Sequence, residues 1–314
     1  MKPAVLVLGA TGTVGRGVVR AAAEAGWPVV AVARDAEALQ ALSRQYPRAN
    51  LQVLVGSVTD DAAADALVTA LQKLDRPFAG VIAALGAGEE RGRLLDQPAD
   101  QLRHAFDDAV MPQLVAARHL LPWLAASGRN CGYVMIGGPG GRNPWAGYGH
   151  RSISAAAVRM LARVLHGEAR AFAVRLQLLE VESPVRTDDN EKHACKQWPC
   201  VDHIGRKALA LLAHRNDARC TEAVVDYRNE ACVNGDLSGS GRVGPHDIEL
   251  DCDEPGVDSD VETTLPGSSH LQMTDSEPQE MDSTASLLPS RCLQDARKLL
   301  ETFSPTRKNQ ERSR

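Results

Sequence analysis

The sequence predicts an α/β domain with a doubly wound parallel sheet of about seven strands, followed by a largely disordered tail. Three observations predict it. Short apolar runs alternate with longer helical patterns from Met1 to Asn229. The runs are continuous Val, Ile, Leu and Ala, as strands covered on both faces require. The composition then changes abruptly near Asn229.

Strands are expected, in order, at Ala4–Leu8, Pro28–Ala33, Leu51–Val55, Gly80–Ala84, Tyr133–Ile136, Val174–Leu179 and Ala223–Tyr227. Between them Thr13–Ala25, Ala36–Gln45, Asp60–Leu74, Gln101–Ala126, Ser152–Ala169 and His203–Ala213 carry apolar residues at helical spacing. Strand and helix in alternation place helices on both faces of a parallel sheet, in one domain covering residues 1–229. Residues 230–314 contain a single aromatic, Phe303, and are rich in Asp, Glu, Ser, Pro and Gly. Such a segment buries too little apolar area to offset the entropy of ordering it. Ser290–Phe303 is the exception, an amphipathic stretch with Leu293, Ala296, Leu300 and Phe303 on one face.

Charge divides along the same boundary. The 314 residues carry a net charge of −5, but residues 1–229 hold 27 basic and 23 acidic side chains. Residues 230–282 hold one basic and 14 acidic, and Ser283–Arg314 is again slightly basic. No stretch approaches the roughly 18 apolar residues that would span a bilayer, so no membrane partner is expected. Met1–Ala10 runs straight into a glycine turn without a small-residue cleavage site, which reads as a buried strand rather than a signal peptide. Seven scattered Cys with no CxxC do not make a disulfide framework. A near-neutral body with no basic stripe gives no reason to expect nucleic acid. The expected location is the cytoplasm.

Chemistry is first legible at Gly9-Ala10-Thr11-Gly12-Thr13-Val14-Gly15, which follows the first strand and opens the first helix. Gly9 permits the tight turn, Gly12 lets backbone approach a pyrophosphate, and Gly15 lets helix and strand pack closely. The free N–H groups and positive end of the helix then face the phosphates. This is a Rossmann-like dinucleotide site. The second strand ends Val32-Ala33-Arg34-Asp35. A carboxylate there holds a ribose 2′-OH and an Arg accommodates a 2′-phosphate, so Arg34 points to NADP(H) rather than NAD(H).

From Met1 to about Arg228 the chain resembles the short-chain dehydrogenases/reductases. The residues that carry the likeness are the glycine turn, Arg34-Asp35, Gly56-Ser57-Val58-Thr59-Asp60, Gly132–Gly138 and Pro184-Val-Arg-Thr187. The resemblance implies an oxidoreductase acting on a carbonyl or alcohol of a small-molecule substrate. It places Ser57 and Val58 against the adenine, with Ser57 where the family usually has Asp. It sets Ala84 and Gly86 beside the nicotinamide ribose and Thr187 near the carboxamide. It further implies a homodimer or homotetramer, the long helices Gln101–Ala126 and Ser152–Ala169 pairing across a two-fold axis.

The catalytic positions depart from the family's Ser, Tyr and Lys. The fifth strand ends Ile136-Gly137-Gly138, so Gly replaces the Ser. Tyr148 is the nearby Tyr, Ser152 stands four residues on, and no Lys occurs between Lys73 and Lys192. Three readings stay open. Tyr148 protonates a carbonyl with help from Arg151 or Ser152. The register is shifted, with His150 as the acid and Ser154 at the Lys position. Or hydride chemistry is lost and the domain binds NADP(H) as a sensor or scaffold, with Tyr148 packed in its Gly-rich loop.

Two weaker signals complete the chain. His193, Cys195, Cys200 and His203 lie close together, but their spacing matches no common zinc module and Pro199 restrains the loop. A mobile lid with free thiols is expected there, not a metal. Asp236–Asp247 matches an EF-hand loop at several positions but lacks helical flanks, so a chance match is expected.

Overall fold

Each apolar run forms a strand, and hydrogen-bond ladders join the strands into one sheet. The structure is a computed structural model that describes residues 2–86, 91–127, 131–213 and 222–227. The acidic segment, Asp236–Asp247 and the expected helix Ser290–Phe303 lie outside the described residues.

The strands are β1 Ala4–Leu8, β2 Val29–Ala33, β3 Leu51–Val55, β4 Phe78–Ala83, β5 Gly132–Gly137, β6 Arg175–Glu180 and β7 Val224–Asp226. All neighbours pair in parallel, in the order β3-β2-β1-β4-β5-β6-β7. The chain therefore winds outward from β1 through β3, then returns to add β4 on the other side of β1. That reversal opens a crevice beyond the carboxyl ends of β1 and β4. Every residue of β1, β2 and β4 is buried, which explains why their sequences are apolar without alternation.

The two sides of the sheet hold two cores. On one, Val5, Val7 and Ala31 meet Val18, Ala22, Leu39, Ile204 and Leu212 from helices α1 Thr13–Glu24, α2 Ala36–Gln45 and α7 Val201–Ala213. On the other, Leu6, Leu8 and Val81 meet Leu67, Leu120, Leu124, Ala162 and Leu165. These come from α3 Asp61–Gln72, α5 Met111–Ala126 and α6 Gly149–Glu168. Among the described residues no helix is long and apolar enough to cross a membrane.

The expected helix Gln101–Ala126 is two helices, α4 Ala99–Ala109 and α5. Pro112 is the cause. It sits in the first turn of α5, where a missing N–H costs nothing, whereas inside one continuous helix its ring would meet the carbonyl of Asp108. Pro122 is exposed and stays inside α5, where the carbonyl it leaves without a donor can face water. Helix α6 starts at Gly149 and α7 at Val201, each ahead of the expected Ser152 and His203.

Helices α1 and α7 touch backbone to backbone. A Cβ built on Gly17 would stand 2.5 Å from the Val201 carbonyl oxygen, and one on Gly205 would stand 2.4 Å from that of Gly17. Both glycines are therefore conditions of the packing, although each weakens its own helix. Gly167 in α6 has nothing within 4 Å of its Cβ position. We predict opposite effects of one substitution in urea denaturation. Gly205→Ala lowers stability by about 1–3 kcal/mol through overpacking. Gly167→Ala raises it by a few tenths to about 1 kcal/mol through helix propensity. Equal effects would remove the backbone contact as the reason for Gly205.

Candidate active site

The crevice is shaped by a turn that only glycine can make. Gly9 has φ +69°, and a Cβ there would stand 2.3 Å from the Ala84 carbonyl oxygen. A Cβ on Gly15 would stand 2.0 Å from the Gly9 carbonyl oxygen, so α1 begins pressed onto the turn. Gly12 precedes α1 with no side-chain cap, which leaves the N–H groups of Thr13, Val14 and Gly15 without a side-chain partner. Arg16 Nε donates to the Thr11 carbonyl oxygen at 2.8 Å and ties the turn down from outside. Ala10 N–H donates to Val32 O at 3.0 Å and Ala84 N–H to Leu8 O at 3.1 Å, holding the ends of β1, β2 and β4 level.

A cleft of about 310 Å³ follows these strand ends. Eight of the expected cofactor residues line it: Gly9, Thr11, Gly12, Arg34, Ser57, Val58, Ala84 and Gly86. Thr13, Val14 and Gly15 stand behind the turn on α1 and do not line it. Thr187 is also absent from the lining; it forms a turn with Asn190, its N–H donating to Asn190 Oδ1 at 2.8 Å.

The cleft also contains residues that sequence reasoning missed. Asp107 and Asp108 line one wall from the last turn of α4, where their charge opposes the helix dipole. That unfavourable placement was a readable signal. Gln113 is fully buried on the apolar face of α5 and donates its Nε2 to the Leu85 carbonyl oxygen at 3.1 Å. It pins the segment that leaves β4, and its amide on the stripe of Ala117, Leu120 and Leu124 marked it out.

At the far end, the two residues after β2 have separate tasks. The Asp35 carboxylate caps α2, accepting the Glu37 and Ala38 N–H groups at 2.9 and 3.0 Å. Arg34 is exposed on the cleft wall. The Ser57 hydroxyl lies 3.0 Å from Thr59 Oγ1 and accepts the Thr59 N–H at 3.2 Å, so it is engaged within its own loop.

Tyr148 and Ser152 lie beyond β5, outside the residues that line the cleft. Tyr148 immediately precedes α6, and its ring stacks on Trp145 with centroids 4.6 Å apart. Arg91 lies over the Tyr148 ring and Arg151 over the Trp145 ring, each at 5.5 Å. Ser152 is buried, accepts the Trp145 N–H at 2.9 Å and donates to the Tyr148 carbonyl oxygen at 3.0 Å. It holds the loop that carries Tyr148. His150 and Ser154 are buried in α6, with the Ser154 hydroxyl donating to the Arg151 carbonyl oxygen. Among the described residues no group of three or more His, Cys, Asp or Glu is arranged to hold a metal.

A charged network closes the carboxyl ends of β5, β6 and β7. Glu180 is buried and pairs with Arg159 of α6 and with Arg142 at 3.4 Å, and Arg142 also pairs with Asp226 of β7. Partial burial and the neighbouring Glu180 push the Glu182 carboxyl above its ordinary value near 4.5. A carboxyl raised in the fold lowers stability once the pH exceeds its unfolded value, because the fold disfavours the charge. Glu182→Gln is therefore expected to raise the urea midpoint at pH 8, with the gain vanishing below about pH 4, where both states hold the proton. A gain that persists unchanged at pH 3.5 would remove the charge as its cause.

The short chain dehydrogenase family matches residues 3–194. The chain is similar to sulfoacetaldehyde reductase 2 of Chromohalobacter salexigens, with 27% identity over 182 residues, 56% of this chain and 70% of that protein. In structure it is similar to a short-chain type dehydrogenase/reductase from Mycobacterium ulcerans, with TM-score 0.63 and 19% identity over 71% of this chain and 87% of that one. It is also similar to L-sorbose reductase from Gluconobacter frateurii in complex with NADPH and L-sorbose. There the TM-score is 0.58 and the identity 17%, over 68% of this chain and 91% of that one. The strand order, the glycine turn and the match over most of the described sheet agree: the chain belongs to the short chain dehydrogenase family.

Proposed function

We propose that residues 1–229 form an NADP(H)-dependent oxidoreductase domain that interconverts a carbonyl and an alcohol on a small molecule. The observation that carries the cofactor reading is the separation of Arg34 from Asp35. Asp35 caps α2 through its Oδ1 and does not line the cleft, while Arg34 stands on the cleft wall. Family membership and a relative named for reducing sulfoacetaldehyde support carbonyl reduction.

The glycine cradle fits a dinucleotide, because a side chain at Gly9 or Gly15 would collide with backbone and close it. First-turn N–H groups of α1 would hold the pyrophosphate, and the Arg34 guanidinium the 2′-phosphate. Ser57 and Val58 would border the adenine, with Asp107 or Asp108 supplying the acceptor that the engaged Ser57 hydroxyl does not. Ala84 and Gly86 would flank the ribose and Thr187 the carboxamide. The cofactor, when bound, supplies or accepts the hydride. Tyr148 would donate the proton to the carbonyl oxygen, its ring fixed between Trp145 and Arg91 and its backbone by Ser152.

We place the protein in the cytoplasm as a homodimer or homotetramer. Ile153, Met160 and Val164 leave an exposed apolar stripe on α6 for that contact. A solution mass equal to the 33.7 kDa chain would overturn the assembly. Residues 230–314 stand as an acidic appendage outside the chemistry.

One observation favours a second reading, an NADP(H)-binding sensor or scaffold without turnover. The Ser152 hydroxyl is spent on Trp145 and Tyr148 backbone, and no Lys follows Tyr148 before Lys192. Steady-state NADPH oxidation over aldehydes, ketones and quinones separates the two. The enzyme reading expects turnover that Tyr148→Phe lowers about tenfold or more, the low end of what a positioned acid supplies. An unchanged rate would exclude Tyr148. NADPH binding with no turnover on any compound would establish the sensor. Arg34→Ala is expected to weaken NADPH about tenfold or more in a fluorescence titration, the worth of a charge-assisted bond, and to leave NADH nearly unchanged. Equal losses for both cofactors would reject the assignment of Arg34.

A further inference from the structure

Arg151, one of the two residues the sequence offers as a helper of Tyr148, stands beside the end of β5. Its guanidinium lies 5.5 Å over the Trp145 ring, and its Nη2 is 3.7 Å from where a Cβ on Gly138 would stand. Gly138 follows β5 directly. The register pairs Ala83 of β4 with Met135 of β5, so the chain leaving β4 at Gly86 and the chain leaving β5 at Gly138 depart at the same level. A Cβ on Gly86 would meet nothing within 4 Å, and one on Gly138 would meet only Arg151. Among the described residues Arg151 is thus the side chain nearest the Gly138 position.

Among the described residues Arg151 pairs with no carboxylate, in contrast to Arg142 and Arg159 nearby, which are both paired with Glu180. The first turn of α6, which carries Arg151, contains no acidic residue. The guanidinium is also held in place. Its central carbon lies 5.5 Å from the Trp145 ring centroid, Tyr148 stacks on Trp145 at 4.6 Å, and the Ser152 hydroxyl fixes the Trp145 N–H and the Tyr148 carbonyl. A guanidinium in cation–π contact with a ring can still fork N–H donors onto two oxygens. Holding it beforehand lowers the entropy cost of binding.

We propose that Arg151 anchors an oxyanion of the substrate, so that the domain prefers short carbonyl compounds carrying a carboxylate or sulfonate over neutral ones. The inference rests on carbonyl reduction as the reaction and adds the substrate class. Anchoring at Arg151 holds one end of the molecule beside Gly138, next to the Trp145–Tyr148 pair. Because the contact is ionic and only half-buried, it weakens with salt.

The test compares matched substrates in the full chain: butanal, succinic semialdehyde and sulfoacetaldehyde with NADPH. The expected result is a KM for the anionic aldehydes at least about tenfold below that for butanal, as a charge-assisted contact supplies. Arg151→Gln should raise the anionic KM about tenfold, a far larger change than in the butanal KM, and leave NADPH affinity alone. Arg151→Lys should recover part of the loss. A raised KM for sulfoacetaldehyde alone, or for succinic semialdehyde alone, identifies which oxyanion the site takes. Turnover with no preference for anions, or equal losses on butanal, overturns the inference while carbonyl reduction stands. If no aldehyde turns over, carbonyl reduction fails, and calorimetry of the NADPH-loaded chain with succinate and methanesulfonate decides the anion site. Binding weakened by Arg151→Gln sustains it, and no binding, or binding that the substitution leaves unaltered, rejects it.

Discussion

The seating of helix α1 depends on side chains that are not there. Gly15 lies so close to the turn that a Cβ would be 2.0 Å from the Gly9 carbonyl oxygen, and Gly17 so close to α7 that one would be 2.5 Å from Val201 O. The two glycines are two residues apart, so one helix presses its start onto the turn and its next stretch onto α7. A single methyl at either contact would have to move the helix as a body, since the opposing atoms are backbone. The start of α1, with its uncapped N–H groups, is thus placed by contacts on its other sides, leaving the side toward the cleft free. Gly9 completes the arrangement from below, turning at φ +69° against Ala84 O, which links the turn to the end of β4.

Burial on both faces forces the polar work of the sheet to its carboxyl edge. Within β1, β2 and β4 no polar side chain is tolerated. At the edge the restraints change character. Gln113 holds Leu85 O, Asp35 and Asp60 cap α2 and α3, and Glu180 gathers Arg142 and Arg159. A buried carboxylate is costly unless paired, and the pairing of Glu180 crosses from β6 to α6 while Arg142 extends it to β7. Gly141 stands beside this group, its Cβ position 3.1 Å from Glu180 Oε1, so the loop leaving β5 runs close to the carboxylate. The same loop goes on to present Trp145 and Tyr148. Packing of the β5–α6–β6 crossover and placement of the aromatic pair are therefore one problem.

The seven strands and the glycine turn were legible because their physics is local: a buried strand needs an unbroken apolar run, and a tight turn needs glycine. The break at Val110 was not, since Pro112 and Pro122 look alike in sequence yet only one interrupts the helix. What separates them is position within the turn and exposure of the preceding carbonyl, both tertiary facts. Thr187 was placed by likeness to a motif, and its partner Asn190 lies only three residues on, so its hydroxyl and N–H close a local turn. Arg151 was named beside Tyr148, but the approach of Arg91 to its ring was missed. A search for Lys four residues after Tyr148 finds Ser152, while Arg91 precedes α4 in the chain and reaches the ring only through the fold.

Net charge turns out to say little about how the cleft meets an anion. The body's excess of four basic side chains is an average over the whole of residues 1–229. Many of the individual charges are taken up in pairs, such as Arg20 with Asp188 and Asp202, or Arg142 with Glu180 and Asp226. What a ligand meets in the cleft is the local set: Arg34, the backbone of the glycine turn, and Asp107 and Asp108. Screening confines each of these to within about 8–10 Å at physiological salt. The cleft is thus divided into regions of opposite sign, suited to a ligand that carries phosphate at one point and hydrogen-bond donors at another. A uniformly basic groove would bind polyanions without distinction. Opposed charges within one cleft of about 310 Å³ instead reward a molecule whose own polarity alternates over the same length.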